Sequence, residues 1–384
     1  MKITCDSKIV LAPELFGKFG ELKLVGTRDI ARDVVKGADV LLVRSETKVD
    51  RDLLEGTGVR FVGTATIGTD HVDLPYLQDN GIGFASAPGS NANSVAEYVT
   101  AAILAVSQRL GISPAHRTIG IVGVGNTGGG VLRKVRALGM NVLLNDPPLA
   151  RETAQKHYRP LDELMEADII SLHVPLTREG KDRTYHLFDG ARIAAMKRGS
   201  ILINASRGAV VDTAGLKEGL RTGGLSACIL DVWEREPAID VDLLGMVALG
   251  TPHIAGYSYD GKLNASYMLL HEMQRFFGLT VPVDDIATSH DTDRREVPAS
   301  AGELYQVIGQ IVRECYDIET DDKALRGISG LPEEERKAYF RQLRAHYRVR
   351  REFNALGVRV DPSRESLVRV LTDLGFTVNT SPAS

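Results

Sequence analysis

IGIVGVGNTGGG, residues Ile119 to Gly130, is the stretch that decides the fold of this 384-residue chain. Four apolar residues, Ile119, Ile121, Val122 and Val124, interleave with glycines, the pattern of a buried strand running into a tight turn. Gly123, Gly125 and Gly128 satisfy G-x-G-x-x-G: the first permits the turn, the second lets backbone approach a pyrophosphate, and the third lets the next helix pack close to the strand. That helix would present free N–H groups and a positive dipole end to the anion. A second strand, Asn141 to Leu144, leads to Asp146, 18 positions beyond Gly128, where a carboxylate can accept the adenosine ribose hydroxyls. The same acid would repel a 2′-phosphate, so the expected cofactor is NAD rather than NADP. Gly129 and Gly130 lie outside the fingerprint, and each costs a helix roughly 1 kcal/mol relative to alanine.

Outward from this unit the chain reads as alternating strands and helices. After Thr118 come strand-like runs at Asn141 to Leu144, Asp168 to Leu172, Ile201 to Asn204, Ala227 to Leu230 and Met246 to Leu249, a doubly wound α/β sheet. Before it, Lys2 to Cys5, Glu21 to Leu24, Val40 to Val43 and Arg60 to Gly63 predict a smaller parallel α/β domain. A long helix, Asn91 to Arg109, enters the dinucleotide unit, and Ser258 to Phe277 reads as the return crossing, which makes the first domain discontinuous. Thr280 to Gly302 reads as a polar connector. Beyond it, helices at Leu304 to Cys315, Glu333 to Phe353 and Ser363 to Leu374, with strands GVRV and TVN, predict an appended α+β module. Its basic stripe of Arg341, Arg344, Arg348 and Arg351 reads first as a solvated face paired with acids such as Glu333 to Glu335. The expected domains are 1–92 with 256–279, 93–255, and 280–384.

Composition bounds the function. With 43% hydrophobic and 25% charged residues the chain is an ordinary globular protein, and a formal charge of −4 gives no electrostatic reason to expect nucleic acid or an anionic membrane. Cys5, Cys228 and Cys315 have neither metal-ligand nor disulfide spacing, so reduced thiols and no metal are expected. The start, MKITCDSKIV, lacks the apolar core of a signal peptide, and no apolar run approaches a membrane span. A cytoplasmic protein is expected.

Three strand ends behind the fingerprint carry ionisable residues: Arg207 in INASRGAVVD, Glu236 in LDVWEREP and His253 in GTPHIAGY. Oxidising a secondary alcohol with NAD needs a base for the hydroxyl proton and a cation for a neighbouring carboxylate. His253 can take the proton, Glu236 can stabilise the imidazolium, and Arg207 can hold the carboxylate with its planar fork. Asp231, near the same edge, could position the nicotinamide carboxamide. Arg44 and Ser45, after ADVLLV, read on their own as a surface charge and a helix cap.

The order G-x-G-x-x-G, Asp, N-A-S-R-G, D-V-W-x-x-E-P, T-P-H-I-A-G resembles the D-2-hydroxyacid dehydrogenase family over residues 1 to about 280. Within it, VRSETKV, FVGTATIGTDHVD, SAPGSNANSVAEYV, NDPP and the tail LRAHYRVRREF resemble a branch that oxidises 4-phospho-D-erythronate to 3-hydroxy-2-oxo-4-phosphobutanoate on the way to pyridoxal 5′-phosphate. The resemblance implies a Rossmann-type NAD domain, a flavodoxin-like substrate lid and a C-terminal dimerisation domain forming a homodimer. It implies Arg207, Glu236 and His253 as catalytic residues. Arg44, Ser45, Thr66 and Tyr257 become contacts to a small phosphorylated 2-hydroxy acid. Gly123, Gly125, Asn126, Thr127, Gly128, Asp146, Val174, Ala205, Ser206, Arg207, Asp231 and Gly256 become NAD contacts. It also gives the Arg341 to Arg351 stripe a second reading, a reach toward a partner subunit's active site. Ser90 and Ser206 stand where cysteine is familiar, and Val174 where threonine often meets the cofactor. The rival readings are a 3-phosphoglycerate or glycerate dehydrogenase, and a non-enzymatic NAD-sensing adaptor on the same scaffold.

Overall fold

The computed structural model describes residues 1–280 and 295–380, which fall into two compact units. One holds Met1–Asn91 and the stretch from Ser258; the other holds Ala92–Tyr257 and the C-terminal residues.

The first unit is built on a parallel sheet of β1 (Lys2–Asp6), β2 (Glu21–Val25), β3 (Val40–Val43), β4 (Phe61–Thr64) and β5 (Gly83–Ala85), in the order β2-β1-β3-β4-β5. This is the flavodoxin-like order. The central strand β3, VLLV, is buried throughout, as a parallel strand covered on both faces must be. On one face the helix Tyr259–Phe277 lays Leu269, Leu270 and Met273 against Ile3, Cys5, Val40, Leu42 and Phe61. Gly63 allows that approach, since a Cβ there would stand 2.8 Å from Leu42 and 3.3 Å from Leu269.

The second unit contains β6 (Thr118–Val122), β7 (Asn141–Asn145), β8 (Ile169–Leu172), β9 (Ser200–Asn204), β10 (Leu225–Leu230) and β11 (Leu249–Gly250), all parallel, ordered β11-β10-β9-β8-β6-β7. A lone parallel bridge, Leu144 to Tyr158, continues the sheet beyond β7 in the manner of a Rossmann outer strand. The chain reverses direction of travel between β6 and β8, which puts a ligand crevice at their carboxyl ends. The buried helix Ala92–Leu110 packs on the fingerprint helix Asn126–Ala137. Gly130 explains how closely: a Cβ there would meet the Ala92 carbonyl and the Ala96 Cβ at 3.3 Å. Gly129 has only ordinary contact, with the Val124 carbonyl at 3.8 Å.

The C-terminal module adds a three-stranded parallel sheet, β12 (Arg295–Pro298), β13 (Leu356–Val360) and β14 (Thr377–Thr380), in the order β12-β13-β14. It departs from the sequence reading in three places. β12 lies in the stretch read as a connector, of which residues 281–294 fall outside the described residues. An unforeseen helix, Ile318–Arg326, is capped by the Asp317 carboxylate and covers the sheet edge, where Asp322 accepts from the Gly250 N–H at 2.8 Å. The helix read as Glu333 to Phe353 ends at Ala345. Past that end runs a strap of alternating exposure, Val349 at 77% and Arg350 at 2%. Arg350 leaves the helical register because its guanidinium is drawn inward to the Ser94 and Ala255 carbonyls, at 2.9 and 2.7 Å.

The Cys5 and Cys228 thiols are buried, and that of Cys315 is half-buried and donates to the Glu352 carbonyl at 3.7 Å. Among the described residues no helix is long and apolar enough to cross a membrane.

Candidate active site

At the end of β6 the chain turns at Gly123, whose φ of +86° and proximity to the His173 carbonyl, 2.7 Å from a hypothetical Cβ, exclude any side chain. A Cβ on Gly128 would fall 1.9 Å from the Gly123 carbonyl, so the helix can start this close to the strand only with glycine. A Cβ on Gly125 would meet nothing within 4 Å, which leaves its backbone open to a ligand. Asp146 fastens the turn: one carboxylate oxygen accepts from the Val124 N–H at 2.8 Å, and the other caps the helix Pro147–Thr153 through the Leu149 N–H at 3.0 Å. Val174, just past β8, packs its methyl 2.9 Å from the position of a Gly123 Cβ. Next to it, burial pushes His173 down to about 3, so the ring stays neutral, with Nε2 2.8 Å from the Ser171 hydroxyl.

After β9, Asn204 shapes the turn that carries Ala205, Ser206 and Arg207. Its oxygen accepts from the Ser206 N–H and hydroxyl at 3.1 and 2.8 Å, and its amide donates to the Arg207 carbonyl at 3.0 Å. Arg207 is half-buried and donates to the Ser206 carbonyl at 3.0 Å. A Cβ on Gly208 would lie 2.0 Å from the Trp233 carbonyl carbon, so the Arg207 turn abuts the backbone that leads to Glu236.

After β10 and β11 two loops meet. His253 Nδ1 stands 2.5 Å from Glu236 Oε1, with the two side chains 30% and 25% exposed. Burial raises the Glu236 carboxyl, but His253 and then Arg344 outweigh it and hold the group below the usual carboxylate range. His253 sits at φ +57°, a left-handed conformation that costs a non-glycine residue roughly 1–2 kcal/mol. Asp231 enforces it. Its backbone carbonyl accepts the His253 N–H at 2.7 Å, while its buried carboxylate accepts from the Ile254 N–H at 2.7 Å, the Ala255 N–H at 2.9 Å and the Thr251 hydroxyl at 2.7 Å. Tyr98 completes the set at 2.8 Å from that hydroxyl. Nothing in the local sequence pointed to this clamp, because Tyr98 and Thr251 are 153 positions apart.

Gly256 and Tyr257 come next on the same loop, both half-buried. Arg344 of the C-terminal module donates to the Tyr257 hydroxyl at 2.9 Å. The arginine stripe is therefore divided, since Arg348 pairs with Asp321 at 3.1 Å. In the first unit Arg44 is half-buried and Ser45 exposed after β3. Thr66 donates to the Gly68 carbonyl at 3.0 Å, and its hydroxyl lies 2.8 Å from that of Thr64, which in turn meets His71 at 2.9 Å. Among the described residues, one His–carboxylate cluster has donor atoms within 4.8 Å of one another, His186, Asp212 and Glu234. Glu234 already bonds His186 and the Thr213 N–H, and Asp212 caps the helix Thr213–Arg221.

Residues 91–255 match the D-isomer specific 2-hydroxyacid dehydrogenase NAD-binding domain, and residues 293–375 a domain of unknown function. The chain is 44% identical over 384 residues to an erythronate-4-phosphate dehydrogenase of Cronobacter sakazakii, covering all of both chains. It belongs to the erythronate-4-phosphate dehydrogenase family. A member of that family from Marinobacter nauticus is also 44% identical, over 98% of this chain and 99% of its own. Among solved structures, D-lactate dehydrogenase of Aquifex aeolicus with NAD and lactic acid is 26% identical, with a TM-score of 0.58. The alignment covers 72% of this chain and 96% of that one. The cofactor of this erythronate-4-phosphate dehydrogenase family chain is NAD. The residues fit it: an open glycine turn, a helix N-terminus and the Asp146 carboxylate stand together.

Proposed function

We infer that the chain oxidises 4-phospho-D-erythronate at C2 to 3-hydroxy-2-oxo-4-phosphobutanoate, an NAD-dependent step toward pyridoxal 5′-phosphate. The observation that carries this reading is the contact of His253 with Glu236, on a chain whose full-length relatives are named for that activity. Glu236 takes the Nδ1 side of the imidazole, so Nε2 is the nitrogen left to accept the C2 hydroxyl proton. The carboxylate then offsets the positive charge the ring acquires. Arg207 binds the substrate carboxylate and polarises the carbonyl as it forms. NAD, when bound at the glycine turn, supplies the hydride acceptor. Asp231 keeps His253 in its left-handed conformation and so acts on the reaction through the base. Arg44, Ser45, Thr66 and Tyr257 serve as substrate contacts. Asn126, Thr127, Val174, Ala205, Ser206 and Gly256 serve as contacts to the cofactor. The protein works as a cytoplasmic homodimer, with residues 280–384 as its dimerisation domain.

The test is NADH formation by purified protein on a panel holding 4-phospho-D-erythronate, 3-phosphoglycerate and D-glycerate. Turnover of phosphoerythronate above the others is expected. Preference for phosphoglycerate would reassign the substrate, and turnover of none would turn the reading toward an NAD-sensing adaptor.

A further inference from the structure

Among the described residues, Arg344 is a cation without a paired anion. It lies in the last turn of the helix Glu333–Ala345, half-buried, with its guanidinium carbon 5.5 Å from the centre of the Tyr257 ring and one Nη donating to the Tyr257 hydroxyl at 2.9 Å. Its Nε is buried with no acceptor, and no carboxylate stands within 4 Å among the described residues. Two other arginines of this module have carboxylate partners. Arg348 has Asp321 at 3.1 Å, and Arg326 has Asp322 at 2.9 Å with two carbonyls besides. Arg350 also lacks a carboxylate among the described residues, and its Nε and Nη1 are buried without an acceptor. It is sealed, however, at 2% exposure with one Nη donating to two carbonyls, so what sets Arg344 apart is that it is only half-buried and open to a ligand.

Burying a charged guanidinium with donors unmade is costly unless something outside the chain supplies the acceptor. The surroundings of Arg344 say where that acceptor sits. Glu236 and Asp231 are both within electrostatic range of it, and Tyr257 stands four positions after His253 on one loop. An anion held by Arg344 is therefore held beside the proton-transfer pair.

We propose that Arg344, carried to the dehydrogenase loop by the C-terminal module, binds the phosphate group of the substrate and so sets specificity for a phosphorylated hydroxy acid. This rests on the oxidation reaction inferred above. The substrate has two anionic ends, a carboxylate next to the reacting carbon and a phosphate two carbons further on. Arg207 answers the first. The second is nearly dianionic, and bound at Arg344 it would meet a cation that also faces Glu236 and Asp231 and offsets their charge. The planar fork of arginine, with Nε and Nη donors unspent, suits two phosphate oxygens at once.

The experiment compares wild type with Arg344→Met and Arg344→Lys. Steady-state rates are taken with 4-phospho-D-erythronate and with unphosphorylated D-erythronate, and binding of inorganic phosphate to the NAD-loaded protein is measured by calorimetry. For Arg344→Met, KM for phosphoerythronate should rise about ten- to a hundredfold, the loss expected for a charged hydrogen-bonded contact. KM for NAD should stay within about threefold, kcat/KM should fall at least about tenfold further for phosphoerythronate than for D-erythronate, and phosphate binding should weaken in step. Arg344→Lys should recover part of the loss, and it carries the test if the methionine variant does not fold. A KM for phosphoerythronate unchanged in either variant overturns the proposal. Equal losses on both substrates would overturn it too, because Arg344 would then hold the carboxylate. If wild type does not oxidise phosphoerythronate, the reaction reading fails, while loss of phosphate binding in the variants still decides the arginine.

Discussion

Asp231→Ala tests how the base is held. The carboxylate accepts the Ile254 and Ala255 N–H groups and the Thr251 hydroxyl, and it is 1% exposed, so no water replaces it without rearrangement. Thr251 can fall back on Tyr98 at 2.8 Å. The two amides cannot, and each orphaned buried donor costs about 1–3 kcal/mol, so the variant should lose roughly 2–6 kcal/mol. That is a large part of the roughly 5–15 kcal/mol that holds an ordinary domain together. Asp231→Asn keeps one acceptor but turns an NH₂ group toward one of the amides, so about 1–3 kcal/mol is expected. The assay is built into the chain. Trp233 is the single tryptophan, is buried, and donates to the Thr251 carbonyl at 2.9 Å, so its fluorescence in a urea titration follows this loop. The denaturation midpoint should fall in the order wild type, Asn, Ala. Meanwhile kcat should drop because His253 is released from its left-handed conformation. A midpoint left unchanged in Asp231→Asn, with activity lost only through a raised KM for NAD, would refute the clamp and return Asp231 to a direct role on the cofactor.

Three further outcomes are expected. Glu236→Gln removes the negative charge that steadies the protonated His253, so the rising limb of the pH profile for oxidation should move to lower pH and kcat should fall; an unchanged profile takes Glu236 out of this role. Gly129→Ala meets only the Val124 carbonyl at 3.8 Å and should stabilise the protein by about 0.5–1 kcal/mol in urea titrations, whereas Gly128→Ala, 1.9 Å from the Gly123 carbonyl, should lose NAD binding by calorimetry. Glu97 is pushed up to about 7, by burial first, against Lys134 and with help from Glu352. Its folded-state value lies above the unfolded one, so its contribution is complete below about pH 4.5 and is lost as pH rises through about 7. Urea midpoints of wild type should therefore fall across that window, and Glu97→Gln should flatten the fall.

The parts of this protein legible in sequence are those whose physics is local. The glycine turn is written in three residues because Gly128 answers a backbone contact five positions away, Gly123 a neighbouring strand end, and Gly125 leaves its backbone open to a ligand. The strand β3 is apolar throughout, and β8 is apolar but for Ser171, because both are covered on both faces. Gly130 looked like an unexplained cost and is explained only by Ala92 and Ala96, some thirty-five positions away, on a helix that must pack against it. The helix Ile318–Arg326 was missed although Asp317, an acidic first turn and basic residues in the last turn announce it, because its charged sequence lacks a long apolar stripe. The helix read through to Phe353 went wrong for the opposite reason. Periodicity continued past Ala345, but the demand of two buried carbonyls for Arg350 overrode it.

The same carbonyls explain why the C-terminal module belongs to the chemistry of the second unit as much as to any contact between subunits. Ala255 is gripped on both sides, its N–H by Asp231 and its carbonyl by Arg350. Two positions on, Tyr257 is gripped by Arg344. Further back, Glu352 accepts from Asn93 and Ser94 at 2.6 Å each, and Glu97 accepts the Phe353 N–H at 3.0 Å, fixing the strap to the start of the helix Ala92–Leu110. The loop that carries His253 thus has its geometry set from within the NAD-type sheet by one carboxylate, and from the appended module by two guanidinium groups. A module needed only for pairing two chains would have no reason to bury an arginine under the catalytic loop. Arg350 makes the module part of how the base is positioned, and Arg344 gives it a place beside the substrate.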